Sequence, residues 1–128
     1  MSRLGKLMHY RMLKTGYCKM VKNGCEPDFP KLARAMRSTV QEANNLRPHL
    51  ERVYHGESHA DPELLFWMAI AFSVATPSET FVSNLTLTIF KGLLEAWGED
   101  MIPVWALKAT QKKVAWEQGR VKVIVTNG

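Results

Sequence analysis

The sequence predicts a small, mainly helical domain that closes with a short C-terminal strand. Three observations carry that prediction. Helix-start signals recur through the middle of the chain, and apolar residues between them fall at three- and four-residue intervals. One alternating run, Arg120-Val121-Lys122-Val123-Ile124-Val125, stands near the end. At 128 residues the chain has the length of one domain. At that size about two-thirds of the unfolded surface goes inside, enough for a real core.

The elements follow in order. Residues 3–22 read as a basic helix marked by Leu4, Leu7, Met8, Met12 and Leu13, with Gly5 and Gly16 as its weak points and Asn23-Gly24 as its end. Asp28 before Phe29-Pro30 starts the next helix, because Pro is tolerated in a first turn. Ser38-Thr39-Val40-Gln41 has capping-box form and starts another at Thr39. Asn44-Asn45 then predicts a break, since Asn tolerates the left-handed conformation of tight turns. Pro48 demands the same break from the other side, because a proline deep in a helix lacks an N–H and clashes with the turn before it. A new helix therefore begins near Leu46 and ends at Gly56. Asp61-Pro62-Glu63 opens a buried helix carrying Leu64, Leu65, Met68, Ala69 and Phe72. Thr76-Pro77-Ser78-Glu79 repeats the start pattern.

Phe81, Leu85, Ile89 and Leu93 recur every four residues and read as helix, although Leu85-Thr86-Leu87-Thr88-Ile89 also alternates like a strand. Gly98-Glu99-Asp100 reads as a turn, and Pro103 to Gln118 as a basic amphipathic helix ended by Gly119. The strand at 120–125 needs a paired edge, supplied by residues 85–89 or by a second copy. The expected organisation is a basic N-terminal helix or arm (1–27), a helical core (28–97), and a C-terminal helix and strand (98–128) that serves dimerisation, within one compact domain.

Charge is unevenly spread. The net charge is +5, yet residues 1–25 hold six Lys/Arg and no acid, which leaves the remainder nearly neutral. Such an arm suits phosphate contact, and it equally suits a solvated helix face. Met1-Ser2-Arg3-Leu4-Gly5-Lys6 runs into no apolar signal segment, and the run Leu64 to Ala75 is too short for a bilayer. A cytoplasmic location without a membrane partner is expected. Cys18 and Cys25 need no disulfide in a reducing compartment. A zinc site built from Cys18, Cys25, His55 and His59 lacks the usual ligand spacing, so no metal and no cofactor are expected. Catalysis is also not expected. The chain has no Gly-rich phosphate loop, nucleophile elbow or His-Glu-x-x-His, and Asp28, Asp61 and Glu79 all sit where helix caps use them.

Short helices with a tight turn between the second and third, followed by a buried helix, form the layout of a helix-turn-helix. Residues 28–81 resemble the Cro-like, phage-repressor-type helix-turn-helix family, which includes antidotes of addiction modules. The best-matching part runs from Leu50-Glu51-Arg52-Val53-Tyr54-His55-Gly56 through Pro62-Glu63-Leu64-Leu65 and Ala69-Ile70-Ala71-Phe72 to Pro77-Ser78-Glu79. The first half departs from the family: Val40 stands where a small Ala is usual, Asn44 in place of the turn Gly, and Asn45 in place of an apolar residue.

The resemblance implies a sequence-specific regulator of transcription, a homodimeric repressor bound to double-stranded DNA, with a cognate toxin as a further partner. It implies that residues 46–55 enter the major groove, with Arg47 gripping guanine, His49 at a base or phosphate, and Arg52 on the backbone. Gln41 would hold another phosphate, with Ser58 and His59 as weaker contacts in the loop. Lys6, Arg11 and Lys14 of the arm would add non-specific phosphate contacts. The competing reading is a non-enzymatic helical interaction or assembly protein, such as a phage-encoded adaptor, that binds through Trp97, Trp105 and Trp116.

Overall fold

The computed structural model describes residues 1–37, 39–74 and 84–127, with side chains as far as Lys113. The order is α1 (Arg3–Lys14), β1 (Cys18–Val21), β2 (Gly24–Pro27), α2 (Phe29–Met36), α3 (Val40–Tyr54), α4 (Pro62–Val74) and α5 (Asn84–Asn127). The mainly helical prediction holds. The expected helix start at Thr76-Pro77-Ser78-Glu79, and Phe81 with it, lies outside the described residues.

The basic first helix is shorter than its predicted span. Thr15 caps α1, and Gly16 (φ 85°) turns the chain into an antiparallel hairpin with Val21 opposite Gly24 and Cys18 opposite Pro27. Asn23-Gly24 therefore belongs to a tight hairpin connection and does not end a helix. Nor is this segment a detached arm. Met8 and Met12 are completely buried and Leu4 nearly so, all within the central apolar cluster. Gly5 is there because α1 crosses α3 closely: a Cβ at Gly5 would collide with the carbonyl oxygen of Tyr54. The chain thus accepts the helix-weakening glycine in exchange for close packing.

The three expected helix starts at Asp28, Thr39 and Asp61 are all present. Asp28 accepts from the Lys31 N–H at 3.1 Å, Thr39 from that of Glu42 at 3.1 Å, and Asp61 from that of Leu64 at 2.8 Å. The end of α3 is also as expected. Gly56 (φ 76°) follows it, the Gly56 N–H reaches Val53 O at 3.1 Å, and the Glu57 N–H reaches Arg52 O at 2.8 Å. This pair of bonds is the Schellman arrangement, which only a left-handed residue completes without strain.

The break predicted at Asn44-Asn45 does not exist. Helix α3 runs through both residues and through Pro48. The reason lies in its buried face. Ala43, Leu46, Leu50 and Val53 recur at three- and four-residue intervals across the supposed break, all of them buried. Pro inside a helix costs about 3 kcal/mol relative to Ala, and full burial of one Leu contributes about 1.5–3 kcal/mol. Two leucines and a valine held on one continuous face outweigh one proline.

The predicted C-terminal strand is likewise absent: residues 120–125 belong to α5, a single helix of 44 residues. Residues 98–100 are not a turn either. Both carboxylate oxygens of Asp100 accept the N–H groups of Arg3 and Leu4 at 3.0 and 2.9 Å, and Glu99 pairs with Arg3 at 3.0 Å. An acid here compensates the exposed N–H groups at the start of α1. Thr86, Ile89 and Leu93 are buried at helical spacing while Leu85 and Leu87 face outward, which confirms the helix over that stretch.

The core is closed by α4, whose side chains are buried almost all round its axis, and by the proximal half of α5. Tyr17 donates to the Ala71 carbonyl at 2.7 Å, and burial pushes its phenol above the ordinary value. Trp97 donates to the Ala60 carbonyl at 2.7 Å and so ties α5 to the α3–α4 connection. No helix among the described residues is long and apolar enough to cross a membrane.

Candidate nucleic-acid interface

Helices α2 and α3 form a two-helix unit whose short connection spans residues 37–39. Leu32, Ala33 and Met36 of α2 are buried with Ala43 and Leu46 of α3, so the pair shares one apolar seam. Thr39 is extended at the α3 N-cap and Arg37 is extended at the α2 C-cap. The turn expected at 44–45 is therefore absent, and the second helix starts at Val40 and not at Leu46.

That shift changes which side chains face solvent. Opposite the Ala43–Leu46–Leu50–Val53 face, Gln41, Asn45 and Arg52 lie along one outward row with the ring of Pro48 between them, and Asn44 stands beside it. Arg34 is exposed on α2, and half-buried Arg37 lines a shallow cleft with Glu42, Asn45, Leu46 and His49. Val40, 72% exposed, sits next to Thr39, Arg34 and Arg37 at the first turn of α3. Between residues 28 and 54 the unit holds five basic and three acidic side chains.

The residues expected to contact DNA divide among three places. Gln41, His49 and Arg52 belong to the α2–α3 unit, with Gln41 and Arg52 on the outward row. Arg47 also lies on α3 but is engaged: its guanidinium donates to Glu51 at 2.9 Å, one turn along the same helix. Ser58 and His59 instead line a cavity of about 190 Å³ with Ser2, Trp97 and Asp100, at the junction of α1 and α5. Lys6 and Lys14 are exposed on α1. Lys14 donates to the Tyr10 hydroxyl at 3.1 Å, and Arg11 lies 5.6 Å from the centre of the Tyr10 ring. The Lys14 ammonium, chiefly through that hydrogen bond, holds the Tyr10 phenol below its ordinary value.

Asn44, Asn45, Arg34 and Arg37 were not among the expected contacts. The signal for them was present: the apolar 3–4 spacing from Ala43 to Val53 continues through the two asparagines, and a residue on the far side of such a row is exposed. The cysteines and histidines do not assemble. No cluster of three or more potential metal ligands occurs among the described residues.

No family model matches this chain, and neither a curated protein nor a solved structure matches it.

Proposed function

We propose that the protein is a non-enzymatic, sequence-specific DNA-binding regulator that presents α3 to the major groove. The observation that carries this reading is the outward row of Gln41, Asn45 and Arg52 on a helix that follows another after three residues. Asn and Gln match the paired donor and acceptor of adenine. The N-terminal residues of a recognition helix meet the base edges, which assigns base contact to Gln41, Asn44 and Asn45 in the first two turns of α3. Exposed Val40 fits against a thymine methyl group. Arg52, at the far end of the row, and Arg34 on α2 serve phosphates. Arg47 is held by Glu51, one turn along α3.

The test is titration of duplex DNA with the purified protein between low and physiological salt. Several Lys/Arg contacts release counterions, so affinity falls steeply as salt rises. Absence of binding, or binding indifferent to salt, rejects the proposal.

A second reading rests on α5. Past Met101 the described side chains of α5 are exposed apart from half-buried Val104, and they include Ile102 at 59%, Trp105 at 46% and Leu107 at 60%. This reading makes the protein an assembly or adaptor protein that binds through the projecting helix. Within the DNA-binding reading, the same segment is the seam of a homodimer. A monomer mass by light scattering at tens of micromolar removes the dimer.

A further inference from the structure

The hairpin carries a pair of thiols that the DNA-binding reading does not use. Cys18 sits opposite Pro27 and Cys25 opposite Met20, so the two cysteines share one face of the hairpin and are diagonal neighbours. Lys19 and Glu26, directly opposite each other on the other face, hold the strands in this register with a 3.5 Å ion pair. Both thiols are free and half-buried. They are close enough to interact, and their contact, followed by burial, raises the Cys25 thiol above its ordinary value.

We propose that Cys18 and Cys25 are a redox modification site that closes to an intramolecular disulfide on meeting a small-molecule disulfide such as glutathione disulfide. Cys18 loses its proton and attacks glutathione disulfide as a thiolate; one S–S bond forms, the other breaks, and one glutathione thiolate leaves. Cys25 then loses its proton and attacks the Cys18 sulfur, expelling the second glutathione. Two cysteine thiols and one glutathione disulfide become one protein disulfide and two glutathione molecules, so atoms and electrons balance.

Closure draws on the twist of the hairpin. Diagonal Cα atoms across an antiparallel pair lie about 7–8 Å apart, and relaxed disulfides span about 4.4–6.8 Å. Closure therefore needs a small added twist, which a hairpin of only two strands supplies. The site lies at the entrance to α2: the Asp28 N–H donates to the Tyr17 carbonyl at 3.0 Å, and Asp28 caps α2.

The test uses the reduced full chain in glutathione buffers, read by intact mass. The expected product has lost two hydrogens and carries no adduct, and dithiothreitol restores the starting mass. Cys25→Ser is expected to stop at one glutathione adduct. In denaturant, closure is expected to be at least tenfold less favourable, because folding is what brings the thiols together. Stable double glutathione adducts, disulfide-linked dimers, or closure equally favourable in the denatured chain would overturn the assignment.

Discussion

The two ends of the chain are both basic helices, and they behave oppositely. Helix α1 buries Leu4, Met8 and Met12 in the core, has its first two N–H groups bound by Asp100, and crosses α3 so tightly that Gly5 is required. The distal half of α5 buries nothing among its described side chains after Met101. Its residues 102–127 extend about 40 Å at the rise of an α-helix. Charge does not separate these two segments; apolar spacing does. Leu4, Met8 and Met12 stand four residues apart on one stripe. Ile102, Trp105 and Leu107 do not share such a stripe. A basic segment is an appendage only where its apolar residues fail to line up.

The largest consequence concerns removal of either end. Deletion of residues 1–22 is expected to abolish cooperative folding, because it strips out α1 and empties the space of Met8 and Met12. Removal of residues 114–128 is expected to leave the melting transition in place. Circular dichroism with thermal melts compares the two. A folded first truncation would return α1 to the status of an arm.

Single side chains sharpen the same contrast. Met8→Ala is expected to destabilise by about 2–5 kcal/mol, as for other buried large-to-small changes. Leu107→Ala, on a face exposed in the monomer, should stay within about 0.5 kcal/mol at concentrations where the chain is monomeric. Chemical denaturation checks both, and a large effect of Leu107→Ala would show that the distal helix is covered in solution. A smaller effect is expected for Asp100→Ala, about 1 kcal/mol, from loss of the cap on Arg3 and Leu4. Equal stability of wild type and Asp100→Ala in urea would mean that water replaces the carboxylate there.

Much of this fold was legible because capping chemistry is local. Asp28, Thr39 and Asp61 each announce a helix start through one side chain and one N–H three residues on, and Gly56 announces an end. What was not legible depended on tertiary competition. Pro48 argues for a break when read alone, and only the shared burial of Ala43, Leu46, Leu50 and Val53 with α1 and α2 overrides it. Val121 to Val125 favours a strand by residue type, yet the helix begun at Asn84 continues through it. The hairpin was hidden because a helix of residues 3–22 fits the same positive charge. The candidate site inherited the error at Asn44-Asn45: moving the helix start from Leu46 to Val40 brings the asparagines from a turn to an exposed face and leaves Arg47 paired with Glu51.

The central claim is that the outward row of α3 reads DNA. It is tested most directly by selecting a preferred duplex with the wild-type protein, then comparing Asn45→Ala and Arg47→Ala on that duplex and on an unrelated one at two salt concentrations. Asn45→Ala is expected to lower the ratio of specific to non-specific affinity by about 1–3 kcal/mol, the worth of one bidentate base contact. Arg47→Ala should lower that ratio less, because its guanidinium is already bound to Glu51. Stability of both variants should match wild type within about 0.5 kcal/mol, since neither side chain is in the core. An unchanged ratio for Asn45→Ala, or a larger loss for Arg47→Ala, would contradict α3 read from Val40 as the recognition helix.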